Sequence, residues 1–285
     1  MNYDSLTELI KEFPQLVHAS NIVSKLKKSN LSNKQTQALK EIEPKYLKYI
    51  NSQLDLKGYS KKIIDERVDL LNNYYQFLDD NYLNIFTSQG KFRPTILEEF
   101  IYILFKDLVS DLRTKLEVDD KDLLLGSVKA YTNLYFKSDD LSSFIKEIHT
   151  GINVKDQDFA IYREMLLSIN NESHKKIKLP IIATECKTYL DKTMLEGAIA
   201  TAEKIKSGNP YSKFFVVAET YEVDHHVDPA YSRIDQIFVL RKNSRKQVLD
   251  IQKDVVYLFF NEVYRYLHCN WGNIEHKLQT KGIII

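Results

Sequence analysis

Along the first 90 positions the apolar residues recur every third or fourth place, the spacing of one helix face. Leu16, Val17, Ile22, Val23 and Leu26 make one stripe, and Leu39, Ile42, Leu47 and Ile50 make another. Pro44 interrupts the second stripe and is expected to break it, because proline has no N–H to give a helix. From Ser60 the residues Ile63, Ile64, Val68, Leu71, Tyr74, Tyr75 and Leu78 continue at helical spacing. Ser60 is the expected N-cap and Gly58 marks the turn before it. Residues 1–90 therefore read as an all-helical region. Its lysines (Lys25, Lys27, Lys28, Lys61, Lys62) suit a solvated face, with phosphate contact as the sharper alternative.

A boundary is expected near Ser88-Gln89-Gly90. After it, Thr95 with Glu98 three places later matches a capping box, and Leu97, Phe100, Ile101, Leu104, Phe105 and Leu108 give the helix a buried side. Residues 110–150 read as mostly helical. Asp119, Asp120 and Asp122 lack the glycine and the final Glu of a calcium loop, so a surface turn is expected there.

Beyond about position 154 the pattern changes. Phe159–Tyr162 and 178–188 read as strands. Asp191 is the expected N-cap of a helix carrying Met194, Leu195, Ala198, Ile199, Ala202 and Ile205, which ends near Gly208. Residues 214–218 are continuously apolar, as in a strand buried on both faces. A strand over 234–240 and a helix over 252–266 follow. This order predicts an α/β fold over residues 91–285, with a mixed central sheet flanked by helices, behind the all-helical N-terminal region.

With 285 residues, 44% of them hydrophobic, the chain can fill one large core or two smaller ones. Its net charge of +1 gives no global attraction to nucleic acid, so a basic surface has to be local. Cys186 and Cys269 form neither a disulfide framework nor a metal-ligand spacing, which fits a reducing compartment. Neither a signal peptide nor an apolar run long enough to span a bilayer is visible, so a cytoplasmic protein without a membrane partner is expected.

The chemistry concentrates at the end of the 178–188 strand. Side chains alternate along a strand, so Glu185 and Lys187 share a face while Cys186 points inward. A carboxylate and an ammonium beside an apolar run are costly unless they pair or work. A plain salt bridge is the simpler explanation. With Asp158 opening the previous strand, a second reading arises. Asp158 and Glu185 would hold Mg²⁺, a hard cation that prefers oxygen, and Lys187 would orient the attacking water and stabilise negative charge. The flanking strands and the helix after them favour this second reading.

Asp158, Glu185-Cys186-Lys187, Leu190-Asp191-Lys192-Thr193-Met194 and Arg93-Pro94-Thr95-Ile96-Leu97-Glu98-Glu99-Phe100 together resemble the PD-(D/E)xK nucleases. More narrowly, the chain resembles type II restriction endonucleases of the Bpu type, which cut CCT-N-AGC-like sites. The resemblance covers about residues 90–245. It implies a restriction-endonuclease-like core, hydrolysis of double-stranded DNA at a specific short sequence, and metal ligation by Asp158 and Glu185 with Lys187 catalytic. It also implies a companion DNA methyltransferase. A two-fold DNA site implies a homodimer, though the family includes unequal pairs of subunits. Gln157 stands where the family has proline, which keeps Asp156 in competition with Asp158. Helices before the first strand often lend a Glu to such metal sites, which points to Glu98, with Glu99 behind it.

Lys192, Arg241 and Lys242 are the expected DNA-binding residues, the last two within a basic cluster that includes Arg245 and Lys246. His225 and His226 are adjacent and cannot easily share one ion, so a polar loop is expected there. Trp271 reads as a packing residue. No glycine-rich phosphate loop or nucleophile elbow is present, and Cys186 has no evident His partner. Two rivals remain: another nuclease of the same superfamily (repair, transposition or RNA-cleaving defence), and a non-catalytic DNA-binding module.

Overall fold

The computed structural model describes residues 4–82, 85, 92–146, 148–168, 175–246, 249–269, 271–272 and 274–282, and the boundary expected at Ser88-Gln89-Gly90 lies outside them. The N-terminal region is helical as expected, with α1 (Asp4–Glu12), α2 (Val17–Leu26), α3 (Asn33–Asp55) and α4 (Lys61–Tyr82). Ser60 caps α4, its hydroxyl accepting from the Ile63 N–H at 3.4 Å, and Gly58 turns the chain with φ +82°. A full capping box starts α3, where Ser32 and Gln35 each satisfy the other's N–H.

Pro44 does not break α3, which runs through it. The missing hydrogen bond and ring clash cost about 3 kcal/mol. Burial of Leu39, Ile42, Tyr46, Tyr49 and Ile50 on both sides of the proline offsets that cost. The capping box expected at Thr95 is also absent. Helix α5 (Phe92–Leu116) begins three residues earlier, and the Thr95 hydroxyl donates back to the Phe92 carbonyl at 2.8 Å.

Five strands form one mixed sheet in the order β1-β2-β3-β4-β5. They are β1 (Leu124–Lys137), β2 (His149–Leu167), β3 (Lys175–Leu190), β4 (Lys213–Tyr221) and β5 (Gln236–Val239). The first three pair antiparallel, and β3-β4 and β4-β5 pair parallel. Strand β1 corrects the helix expected over 110–150; among the described residues of that span, only α6 (Leu141–Lys146) is helical beyond the end of α5. Its inward positions are Gly126, Val128, Ala130 and Thr132, too small and weakly apolar to announce a strand.

Helix α7 (Lys192–Gly208) links β3 to β4, capped by Asp191, whose carboxylate accepts from the Met194 N–H at 2.8 Å. It covers one sheet face with Leu195, Ala198, Ala202 and Ile205 over Ala160, Ala183, Val216 and Ala218. The other face, with Phe159, Ile182, Cys186, Phe215 and Val217, packs on α5 and α8 (Lys253–His268). That second core is continuous with the N-terminal helices, taking in Leu16, Ile42 and Leu71. A short helix α9 (Ile274–Lys281) follows, and Trp271 stacks on Tyr266 with rings 5.2 Å apart, a packing role as expected. Among the described residues, no helix is long and apolar enough to cross a membrane.

Toward the end of the β1-β2 hairpin, Phe136 on β1 and Leu141, Phe144 and Ile145 on α6 are exposed apolar side chains.

Candidate active site

Phe159 pairs with Thr184 across the antiparallel β2-β3 ladder. One further step of that register sets Asp158 opposite Glu185. Both share the α7 face with Ala160 and Ala183, and Lys187 joins them two residues on. The Lys187 Nζ lies 3.1 Å from Glu185 Oε2 and 4.0 Å from Asp158 Oδ2. The Cys186 N–H donates to Asp158 Oδ2 at 2.8 Å, tying the first carboxylate to the backbone of the strand that bears the other two groups. Side-chain exposures of 28% for Asp158, 11% for Glu185 and 25% for Lys187 leave the trio shielded yet open to a ligand.

Burial pulls the Lys187 pKa down, but the charges of Glu185 and Asp158 outweigh it and hold the ammonium above its ordinary value. Lys187 is therefore a fixed cation at neutral pH. Cys186 faces the opposite core, as expected from alternation. Burial, and then the charges of Asp158 and Glu98, push its thiol well above the ordinary value, which suits no nucleophile.

Among the described residues, no three His, Cys, Asp or Glu side chains gather into a ready cation cage. The donor set still fits Mg²⁺, which is usually held by one or two carboxylates while keeping waters and substrate oxygens as further ligands. Lys187 already lies between the two carboxylates as a cation. Asp156 is exposed and stands opposite Lys129 on β1, whereas Asp158 is the aspartate that reaches Lys187 and Cys186.

The two glutamates on α5 have separate fates. Glu98 is half-buried, and its charge reaches the Cys186 thiol beneath the site. Glu99 is buried and committed elsewhere. Its carboxylate accepts from the His18 and Ala19 N–H groups at the start of α2, at 2.9 and 3.1 Å, and from the Tyr46 hydroxyl at 2.9 Å. Burial lifts its pKa to about 8. The His18 ring bonds Thr95 at 2.9 Å and Tyr74 at 3.0 Å, and burial lowers its pKa to about 3. This network fixes the N-terminal helices to α5.

Of the expected DNA-binding residues, two are exposed and one is buried. Lys192 is 72% exposed at the start of α7, 4.0 Å from Glu196. Lys242 is exposed and paired with Asp254 on α8. Arg241 is a correction: it is only 5% exposed, and its Nε and Nη2 donate to Glu219 at 3.1 and 3.0 Å. Arg93 also reaches Glu219, at 3.3 Å, and pairs with Asp79. A buried carboxylate thus draws both guanidiniums inward. Asp224, His225 and His226 are exposed in the polar loop after β4, as expected. The sequence reading missed two features. One is this Glu219 network, for which a lone Glu in an apolar strand was the available signal. The other is the stacking of Arg245 on Tyr189.

Three comparisons with known proteins bear on this geometry. A family model for the Bpu10I restriction endonuclease matches residues 89–259, more than half of the chain. None of the curated proteins compared matches the chain. Among solved structures, a chain of the native BbvCI A2B2 tetramer at low resolution is similar, with a TM-score of 0.68 and 20% sequence identity. The similarity covers 90% of this chain and 99% of that one, and at this identity it speaks to the fold alone.

Proposed function

Since the chain belongs to the Bpu10I restriction endonuclease family, we propose that it is a type II restriction endonuclease that hydrolyses double-stranded DNA at a specific short sequence with the help of Mg²⁺. The observation that carries this reading is the placement of Lys187 within reach of both Asp158 and Glu185. Asp158 and Glu185 would hold the metal, with Glu98 as the third carboxylate expected to join them. Bound there, Mg²⁺ supplies Lewis-acid chemistry toward water and the phosphate oxygens.

The remaining work falls to the chain's own groups. The β2-β3 ladder and the Cys186 N–H fix the separation of the two carboxylates, so little reorganisation is needed when substrate arrives. Lys187 orients the attacking water and faces the charge that grows on the scissile phosphate. Lys192, exposed at the start of α7, would contribute a phosphate contact.

Cutting both strands needs two such centres, and a homodimer would supply them. The exposed apolar tip of the β1-β2 hairpin is a surface that such an assembly can cover. The solved BbvCI chain comes from a tetramer, which also supports an assembly of more than one chain. We assign the nuclease core to residues 91–285, buttressed by the helices of residues 1–90. We place the protein in the cytoplasm beside a DNA methyltransferase that protects host sites.

The test is digestion of unmethylated plasmid and phage DNA by the purified chain with Mg²⁺. Discrete fragments are expected. DNA that stays intact across metals and sequences overturns the reading, and smears or RNA cleavage point instead to another nuclease class.

A further inference from the structure

Tyr189 follows Lys187 by two residues on β3 and precedes Leu190, which is buried in the α7-side core. The Arg245 guanidinium lies over its ring, 3.8 Å from the centroid. Three chain segments meet at this point. The Glu222 N–H donates to the Leu190 carbonyl at 2.8 Å, and the Tyr221 N–H to the Asn243 carbonyl at 3.1 Å. The Arg245 N–H donates to the Glu222 carboxylate, and the Arg245 Nε lies 3.6 Å from that same carboxylate.

The guanidinium is thus held by a ring and a carboxylate although its side chain is 57% exposed. An unrestrained surface arginine gives up much rotamer entropy when it binds. Arg245 has already lost part of that freedom. Among the described residues, Glu222 is its one carboxylate partner, which leaves its two terminal nitrogens for a ligand. A planar fork of N–H donors matches phosphate oxygens better than a point charge does. The other expected contacts are more heavily engaged, since Arg241 is buried on Glu219 and Lys242 is paired with Asp254. Tyr189 stands about 7 Å along the strand from Lys187, at ~3.3 Å per residue, which is roughly two nucleotide rises of one DNA strand.

We propose that Arg245 binds a backbone phosphate one or two nucleotides from the one attacked at Lys187, and that Tyr189 is its positioning residue. This rests on the reading of the chain as a DNA nuclease. It adds a contact that fixes the strand along β3.

The test measures binding of a mixed-sequence 40-base-pair duplex with EDTA present, across a salt series, beside thermal unfolding of each variant. Arg245→Ala is expected to weaken binding on the order of tenfold. The slope of log affinity against log salt should fall by about one, the signature of one lost phosphate contact. Arg245→Lys should keep the slope but bind less tightly. Tyr189→Leu should weaken binding with the charge still present, and Tyr189→Phe, which keeps the ring, should recover most of that loss. A folded Arg245→Ala with wild-type affinity and slope overturns the proposal and leaves the nuclease reading standing. A wild type that neither binds duplex nor cuts DNA overturns both.

Discussion

Lys187 lies 3.1 Å from Glu185 and 4.0 Å from Asp158, so one ammonium holds two carboxylates that burial alone would drive apart or neutralise. If the trio serves chemistry, Lys187→Met removes a charge that acts in the transition state. The expected fall in kcat is on the order of 10²–10³, with duplex binding in EDTA little changed. Single-turnover cleavage against binding separates the two. A structural readout runs in parallel: Mg²⁺ should raise the thermal midpoint of the wild type but not that of Asp158→Asn or Glu185→Gln. Full cleavage by Lys187→Met would mark the pair as an ordinary salt bridge.

Arg241 separates stability from DNA contact. Its guanidinium and that of Arg93 both converge on Glu219, which is 2% exposed. Breaking a buried pair costs about 3–5 kcal/mol when the remaining charge has no other partner, and Arg93 at 3.3 Å keeps the loss below that range here. Arg241→Ala should therefore lower the urea midpoint, while the fraction that remains folded binds duplex with the wild-type salt slope. A stable Arg241→Ala with a reduced slope would return this residue to the DNA surface.

These residues show where sequence reasoning holds and where it stops. Glu185, Cys186 and Lys187 are consecutive, so strand alternation alone assigns their faces, and the structure agrees. Asp191 and Ser60 cap their helices through bonds to residues three positions away, which local sequence also reveals. Strand β1 stayed hidden because small residues line its inward face. Arg241 and Arg245 look alike in sequence and differ in fate. One meets Glu219 from a neighbouring strand and sinks into the core, while the other meets Tyr189 and stays at the surface. Partners so distant along the chain leave no periodic trace.

Pro44 is exposed in the interior of α3, where it interrupts the backbone bonding without contributing a buried side chain. Alanine restores the N–H and relieves the ring's clash with the preceding turn, a gain of about 3 kcal/mol in a helix interior. The unfolded chain also becomes freer without proline, which subtracts about 1 kcal/mol. Pro44→Ala should therefore stabilise the protein by roughly 2 kcal/mol, read as a higher urea midpoint with an unchanged m-value. A lower midpoint would mean that the helix needs the bend at this position for its packing.

His18 and Glu99 give the fold opposing pH slopes. His18 has its pKa lowered to about 3 by burial, so the unfolded chain binds its proton more readily, and stability is lost as pH falls from about 6.5 toward 3. Glu99 has its pKa raised to about 8 by burial, so the folded chain binds that proton more readily, and stability is lost as pH rises from about 4.5 toward 8. Between about 4.5 and 6.5 the two slopes oppose each other, which predicts a broad maximum there. Above it the decline belongs to Glu99 alone among the pair. Glu99→Gln should therefore flatten the urea midpoint between pH 6.5 and about 8 while keeping the acid-side loss that His18 causes. A variant whose midpoint still falls across that interval as steeply as the wild type would show that the carboxylate is already ionised against the start of α2.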